Sequence, residues 1–200
     1  MNRRSAVLIA LGALVAGVAA LVYAENVGNP LPGFSAGGGI AAAAPAQRQN
    51  PEPSYDFNAL PEAVRLMLER IAEAAQTGEV ENMRPVFESN ELKPMVAADY
   101  VDDPIAFWKK QSADGSGRDI LAAMLDVMSS GFVRVGEGKD EMYVWPYFAE
   151  IDLTKLTPAQ EVEFYRVVAP SLGVPMKKAG KYSYYRLGIS PTGVWHYFIQ

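Results

Sequence analysis

The chain holds one histidine, His196, and no cysteine. Those two counts decide much of its chemistry. A motif that needs two imidazoles, such as the HExxH zinc site, is excluded, and so are disulfides, thiolate zinc centres, cysteine nucleophiles, thioether haem attachment and a lipoprotein anchor. His196 could act as a general base if a carboxylate held its ring, and Glu141 and Glu150 are the partners considered; that reading is an envelope hydrolase or isomerase with a sheet-lined pocket. No nucleophile elbow accompanies it. His196 also alternates with Val194 and Phe198 along an extended stretch, a pattern that suits a packed or hydrogen-bonded structural histidine. The expectation is a protein without catalytic residues, with the enzyme as the alternative.

Aromatic residues are dense in the second half: Tyr143, Trp145, Tyr147, Phe148, Tyr182, Tyr184, Tyr185, Trp195, Tyr197 and Phe198. On an outward sheet face such rings stack on a sugar or hold an amphipathic ligand, with tyrosine hydroxyls and Arg186 supplying polar contacts. The candidate ligand-binding set is Trp145, Tyr184, Arg186, Trp195 and His196. The same rings could instead form the core and its cross-strand pairs. Whether Trp145, Tyr184 and Arg186 line one concavity or are separately covered separates the two.

Other motifs carry little. Asp114, Ser116 and Asp119 resemble the start of a calcium loop, but Arg118 stands where an oxygen ligand is needed and Leu125 where the bidentate glutamate belongs. Gly136 and Gly138 lead into Asp140 and Glu141 instead of a glycine-opened helix, so they form no dinucleotide loop. Asp99, Asp102 and Asp103 read as caps and a solvated loop. No metal and no cofactor is expected. The net charge of −5 and the scattered basic residues, grouped only at Lys109–Lys110 and at Lys177, Lys178 and Lys181, argue against nucleic acid.

The elements that must position these residues begin after an unusual N-terminus. Arg3 and Arg4 precede nineteen uncharged residues, 6–24, the pattern of an export signal. Ala24 ends a small-residue site suited to a signal peptidase, while the length of the run approaches a bilayer span, so residues 1–24 are a signal peptide or an N-terminal membrane anchor. Either places the rest in the periplasm or otherwise outside. Residues 25–54, rich in Gly, Ala and Pro, form a linker expected to be disordered, with too few large apolar groups to offset ordering entropy. Residues 55–200 are one domain, large enough to bury roughly 70% of its unfolded surface without a metal or disulfide.

Within the domain, Val64, Met67, Leu68, Ile71, Ala72 and Ala75 recur at helical spacing over residues 61–76. A second helix over 79–89, weakened by Pro85, completes a helical hairpin. Residues 90–102 read as irregular, and Asp103 with Pro104 starts a helix. Another helix spans 118–129. The period then changes to two: residues 132–135 and 142–148 form a hairpin, with Pro146 marking an edge or bent strand that a partner could use. Thr157, Pro158 and Gln160 open a helix that ends before Pro170. A turn-rich connection through Gly173, Pro175 and Gly180 leads to a final hairpin, 181–189 and 194–199, closed at Pro191 and Gly193. The order predicts an α+β domain, helices packed on a mainly antiparallel sheet of four or more strands.

Residues 141–149, 156–163 and 185–195 resemble a group of exported bacterial proteins of unassigned function. That resemblance covers most of residues 60–200 and implies no activity. In element order the chain is also similar to the NTF2-like, cone-shaped α+β fold, which implies a curved sheet and hosts both enzymes and binding modules. Together these readings imply an exported cell-envelope binding or interaction module. Its partner would be an envelope protein or a small amphipathic or sugar ligand, and it would meet the membrane only through its N-terminal segment.

Overall fold

The computed structural model describes residues 51–200. The signal or anchor expected at 1–24 and most of the linker at 25–54 lie outside the described residues. Helix α1, Glu62–Gln76, forms where one stripe of the sequence is apolar: Val64, Met67, Leu68, Ile71 and Ala75 are buried along it. It ends where the Thr77 hydroxyl donates to the Ala74 carbonyl (2.7 Å) and Gly78 takes φ 70°. The helix expected over 79–89 is divided. Val80–Met83 is a 3₁₀ turn, and α2 is only Arg84–Ser89, with Pro85 in its first turn, where a missing N–H costs no helical bond.

Helix α3, Pro104–Gln111, starts where Asp103 Oδ1 accepts from Ile105 N and Ala106 N at 3.0 and 3.1 Å. Helix α4 is Arg118–Met128. Strands β1, Val133–Val135, and β2, Met142–Trp145, follow, then α5, Pro158–Val167, opened by the reciprocal bonds between Thr157 and Gln160.

The connection expected to be turns is helix α6, Pro170–Ala179. Pro170 sits at its first position, and Gly173 is there because α5 lies close: a Cβ at 173 would stand 2.7 Å from Phe164 Cε1. Gly180, at φ 68°, ends the helix. Strands β3, Arg186–Ile189, and β4, Trp195–Ile199, complete an antiparallel sheet in the order β1-β2-β3-β4. Residues 181–185, expected as part of the final hairpin, precede β3 outside the ladder. The described residues thus form an α+β domain of six α-helices and four antiparallel strands.

Register sorts the aromatic residues. Gly188 pairs with Tyr197 but Ile189 with Trp195, so His196 is the extra residue of a β-bulge. The bulge overturns the simple alternation of His196 with Phe198. It brings Trp195 and Phe198 onto the face of Leu187 and Ile189, which continues through Trp145 and Tyr143 on β2. Helices cover that face: Trp195 stacks on Phe87 of α2 (5.0 Å, 16°), and Phe198 meets Trp108 of α3 edge-on (6.0 Å, 88°). Arg186, Gly188, Tyr197 and Val144 occupy the reverse face.

Both sheet edges are partly closed. Ser54 and Phe132 exchange backbone bonds of 2.8 and 2.9 Å beside β1. Along β4 the Asn90 side chain donates to Trp195 O (2.7 Å) and accepts from Trp195 N (2.9 Å). Met95 then accepts from Phe198 N and donates to His196 O. Pro146 makes no edge for a partner, because β2 is paired on both sides and the chain turns into a 3₁₀ segment at Tyr147–Glu150. Lacking an N–H, the proline ends the strand instead of exposing it.

Candidate functional site

The five residues singled out from the sequence are not brought together. Trp145 and Trp195 are both 0% exposed, packed by the helices on the covered sheet face, so neither ring can stack on a ligand. Tyr184 is half-buried and edge-on to Tyr185 (5.0 Å). Its phenol is held above the usual range by burial first and then by the charges of Asp126 and Asp119. Arg186 projects from the reverse face beside Tyr197, whose phenol burial and the Glu150 charge push up to about 12 while Arg186 draws it down. His196 is half-buried at the bulge with its carbonyl taken by Met95 N. Glu141 is gripped by Arg134 at 2.6 Å, with β3 between its strand and that of His196.

What converges instead is a cleft of about 320 Å³ at the end of the sheet, between α3 and the segment that closes β4. Val96, Ala97 and Ala98 form one wall, Phe107, Trp108 and Gln111 of α3 the second, and Tyr185 and Gln200 the third. Tyr185 lies flat on Phe198 (4.9 Å, 7°), which fixes its ring plane, and burial raises its phenol so that it stays a neutral donor. Trp108 is 1% exposed, and its buried indole N–H has no hydrogen-bond partner among the described residues. No acidic or basic side chain lines the cleft. Val96 also belongs to a neighbouring depression of about 240 Å³ where Tyr100 is 82% exposed, with Lys93 Nζ 5.9 Å from its ring. From the sequence, residues 90–102 read only as irregular and the start at Asp103 and Pro104 only as a helix. Walls drawn from separate chain segments leave no linear motif.

A second polar centre was also illegible in the sequence. Glu163, on α5, accepts from Tyr55 OH (2.6 Å), Tyr147 OH (3.1 Å) and Gly131 N (3.1 Å). Tyr147 is fully buried, and burial, ahead of Tyr55 and the Glu163 charge, holds its phenol far above the usual range. A Cβ at Gly131 would lie 2.8 Å from the Tyr55 ring, so glycine is what lets the two tyrosines close on the carboxylate. An acceptor so fully donated to is a structural lock, tying the start of the domain to α5. Asp114 is likewise satisfied locally: the Ser116 hydroxyl, then its N–H and the Ser112 hydroxyl, lower its carboxyl to about 2.

Compared with models of protein families, with curated proteins and with solved structures, the chain matches none. Among the described residues no helix is long and apolar enough to cross a membrane, and no group of three or more histidines and carboxylates is placed to hold a metal.

Proposed function

We propose that this is an exported cell-envelope binding module, carried on the linker of residues 25–54, that takes a small neutral amphipathic or sugar-like ligand in the Phe107–Tyr185 cleft and does no chemistry on it. The observation that carries the reading is the make-up of the cleft: aromatic walls, side-chain amides at Gln111 and Gln200, and no charged side chain. Ring faces and amides are what a neutral ring bearing hydroxyls needs, and a volume near the lower end of ligand pockets, ~300 Å³, suits one ring or a short acyl chain. The finer architecture we infer is the cone-like, NTF2-like one, in which helices and a strand-like segment close one end of a curved sheet; the cleft at the sheet's end supports it. Residues 1–24 support export to the periplasm or beyond.

The test is a thermal-shift screen of the protein against neutral muropeptide fragments, sugars and short-chain amphiphiles, with tryptophan emission read in parallel. A ligand at 100 times its Kd adds about 2.7 kcal/mol of stability and a corresponding rise in Tm. Ala98→Trp, which fills the cleft mouth, is expected to abolish the rise while leaving the free protein folded. A ligand whose stabilisation survives Ala98→Trp and Gln111→Ala together binds elsewhere, and the reading fails.

A further inference from the structure

The acidic residues of this chain end at Glu163. Residues 164–200 carry five basic side chains and no aspartate or glutamate, which leaves 13 of the 18 basic residues and all 23 acidic ones to the preceding part of the chain. An acidic protein thus keeps one purely basic stretch, of which α6 carries Lys177 and Lys178 and Lys181 follows just beyond. Apart from Ser171 its exposed residues are aliphatic or cationic: Leu172 is 45% and Val174 58% exposed, and Pro175 and Lys178 are exposed beside them. The helix itself contains no acid. A groove of about 400 Å³, lined among others by Leu172, Met176, Ala179 and Lys181, runs along its flank.

The carboxylates on the elements packed against α6 are occupied. Lys177 holds Glu161 at 2.6 Å, and Lys155 holds Asp152 at 3.4 Å. Arg166, Lys178 and Lys181 make no ion pair with a described residue. We propose that this face of α6 docks on an anionic phospholipid surface, with Leu172, Val174 and Pro175 entering the headgroup boundary and Lys178 and Lys181 meeting the phosphates.

Composition distinguishes lipid from an acidic protein partner. Protein interfaces draw on aromatic residues and arginine and are depleted in lysine, whereas this face is aliphatic with two lysines and presents no aromatic ring on α6. Lysine stems lie along apolar surface while their ammonium groups reach a charged layer, which is the arrangement of helices that lie in a membrane interface. The groove beside the docking face meets the Phe107–Tyr185 cleft at Gln200, and the two share no other lining residue.

Because the chain has no cysteine, Val174→Cys gives the full-length protein a unique label site for an environment-sensitive dye. With vesicles containing phosphatidylglycerol the dye is expected to shift to the blue and brighten, with the response reversed by salt and small on pure phosphatidylcholine. Lys178→Glu with Lys181→Glu should weaken the anionic-vesicle response by at least about 10-fold. Both positions are exposed, so Tm should hold, and Lys178→Gln with Lys181→Gln should give an intermediate loss. An equal shift on phosphatidylcholine would overturn the proposal. So would a shift produced by polyglutamate without lipid, which would assign the face to an acidic polypeptide, or an equal response from a dye at Lys139→Cys in the β1–β2 turn.

Discussion

The Glu163 centre and the Phe107–Tyr185 cleft are both built from tyrosines and residues distant in sequence, yet they are opposites in how their polar groups are satisfied. At Glu163 three donors converge on one carboxylate, and the glycine that admits them has no room for a side chain. In the cleft the Gln111 and Gln200 side chains line open volume. A carboxylate whose bonds are all supplied by the protein reads as scaffold, whereas amides that line open volume can take their bonds from a ligand.

That contrast can be broken first at its rigid end. Tyr147→Ala removes a fully buried ring and strands Glu163, and is expected to cost about 4 kcal/mol in chemical denaturation. Glu163→Ala, which leaves the Gly131 N–H and Tyr147 hydroxyl without their acceptor, should cost about 2 kcal/mol. Amide exchange at Ser54 and Phe132 should then accelerate as the strap beside β1 loosens. If exchange there is unchanged, Glu163 is not what holds the strap.

Gly173→Ala sharpens the comparison by testing a second close approach that lies at neither region. Its Cβ would press on the buried Phe164 ring, so a loss of about 1–3 kcal/mol is expected, with α6 displaced from α5. In the cleft the expectation is the reverse. Gln111→Ala, on an exposed residue, should move stability by no more than about 0.5 kcal/mol while lowering ligand-induced stabilisation. A large loss of stability from Gln111→Ala would make the cleft scaffold too.

The smallest effect is one of pH. The Tyr197 phenol is raised from 10.0 to about 12 in the fold, so the unfolded chain ionises first on going alkaline. Its contribution is whole below pH 10 and is lost as pH rises toward about 12, with Tyr147 and Tyr182, also raised, acting in the same direction. Denaturation midpoints measured across that range should fall as phenolate absorbance appears. A midpoint that stays level would show these phenols ionising freely in the folded protein.

Much of the helical framework was legible because its signals are local. Asp103 before Pro104, and Thr157 with Gln160, act within one turn and start α3 and α5 where expected. Helix α6 was missed because Gly173 and Pro175 are breakers when judged locally, whereas here the glycine answers to Phe164 on another helix. The candidate ligand set misplaced Trp145 and Trp195 for a related reason: strand alternation tells that two faces exist but not which face the helices cover. The cleft left no trace at all, since its walls are joined only by folding.

The sequence by itself determined the absence of cysteine chemistry and of two-histidine sites, the export-like N-terminus, the alternation of helical and extended stretches, and the positions of the helix caps. All of these depend on residue type or on neighbours a few positions apart. The tertiary structure decided the bulge at His196, the burial of the two tryptophans, the Glu163 lock and the place of the open cleft. Each depends on pairs far apart in the chain, as Asn90 and Trp195 are at 105 positions, and such pairings are selected by the packing of the whole core, which no local pattern encodes.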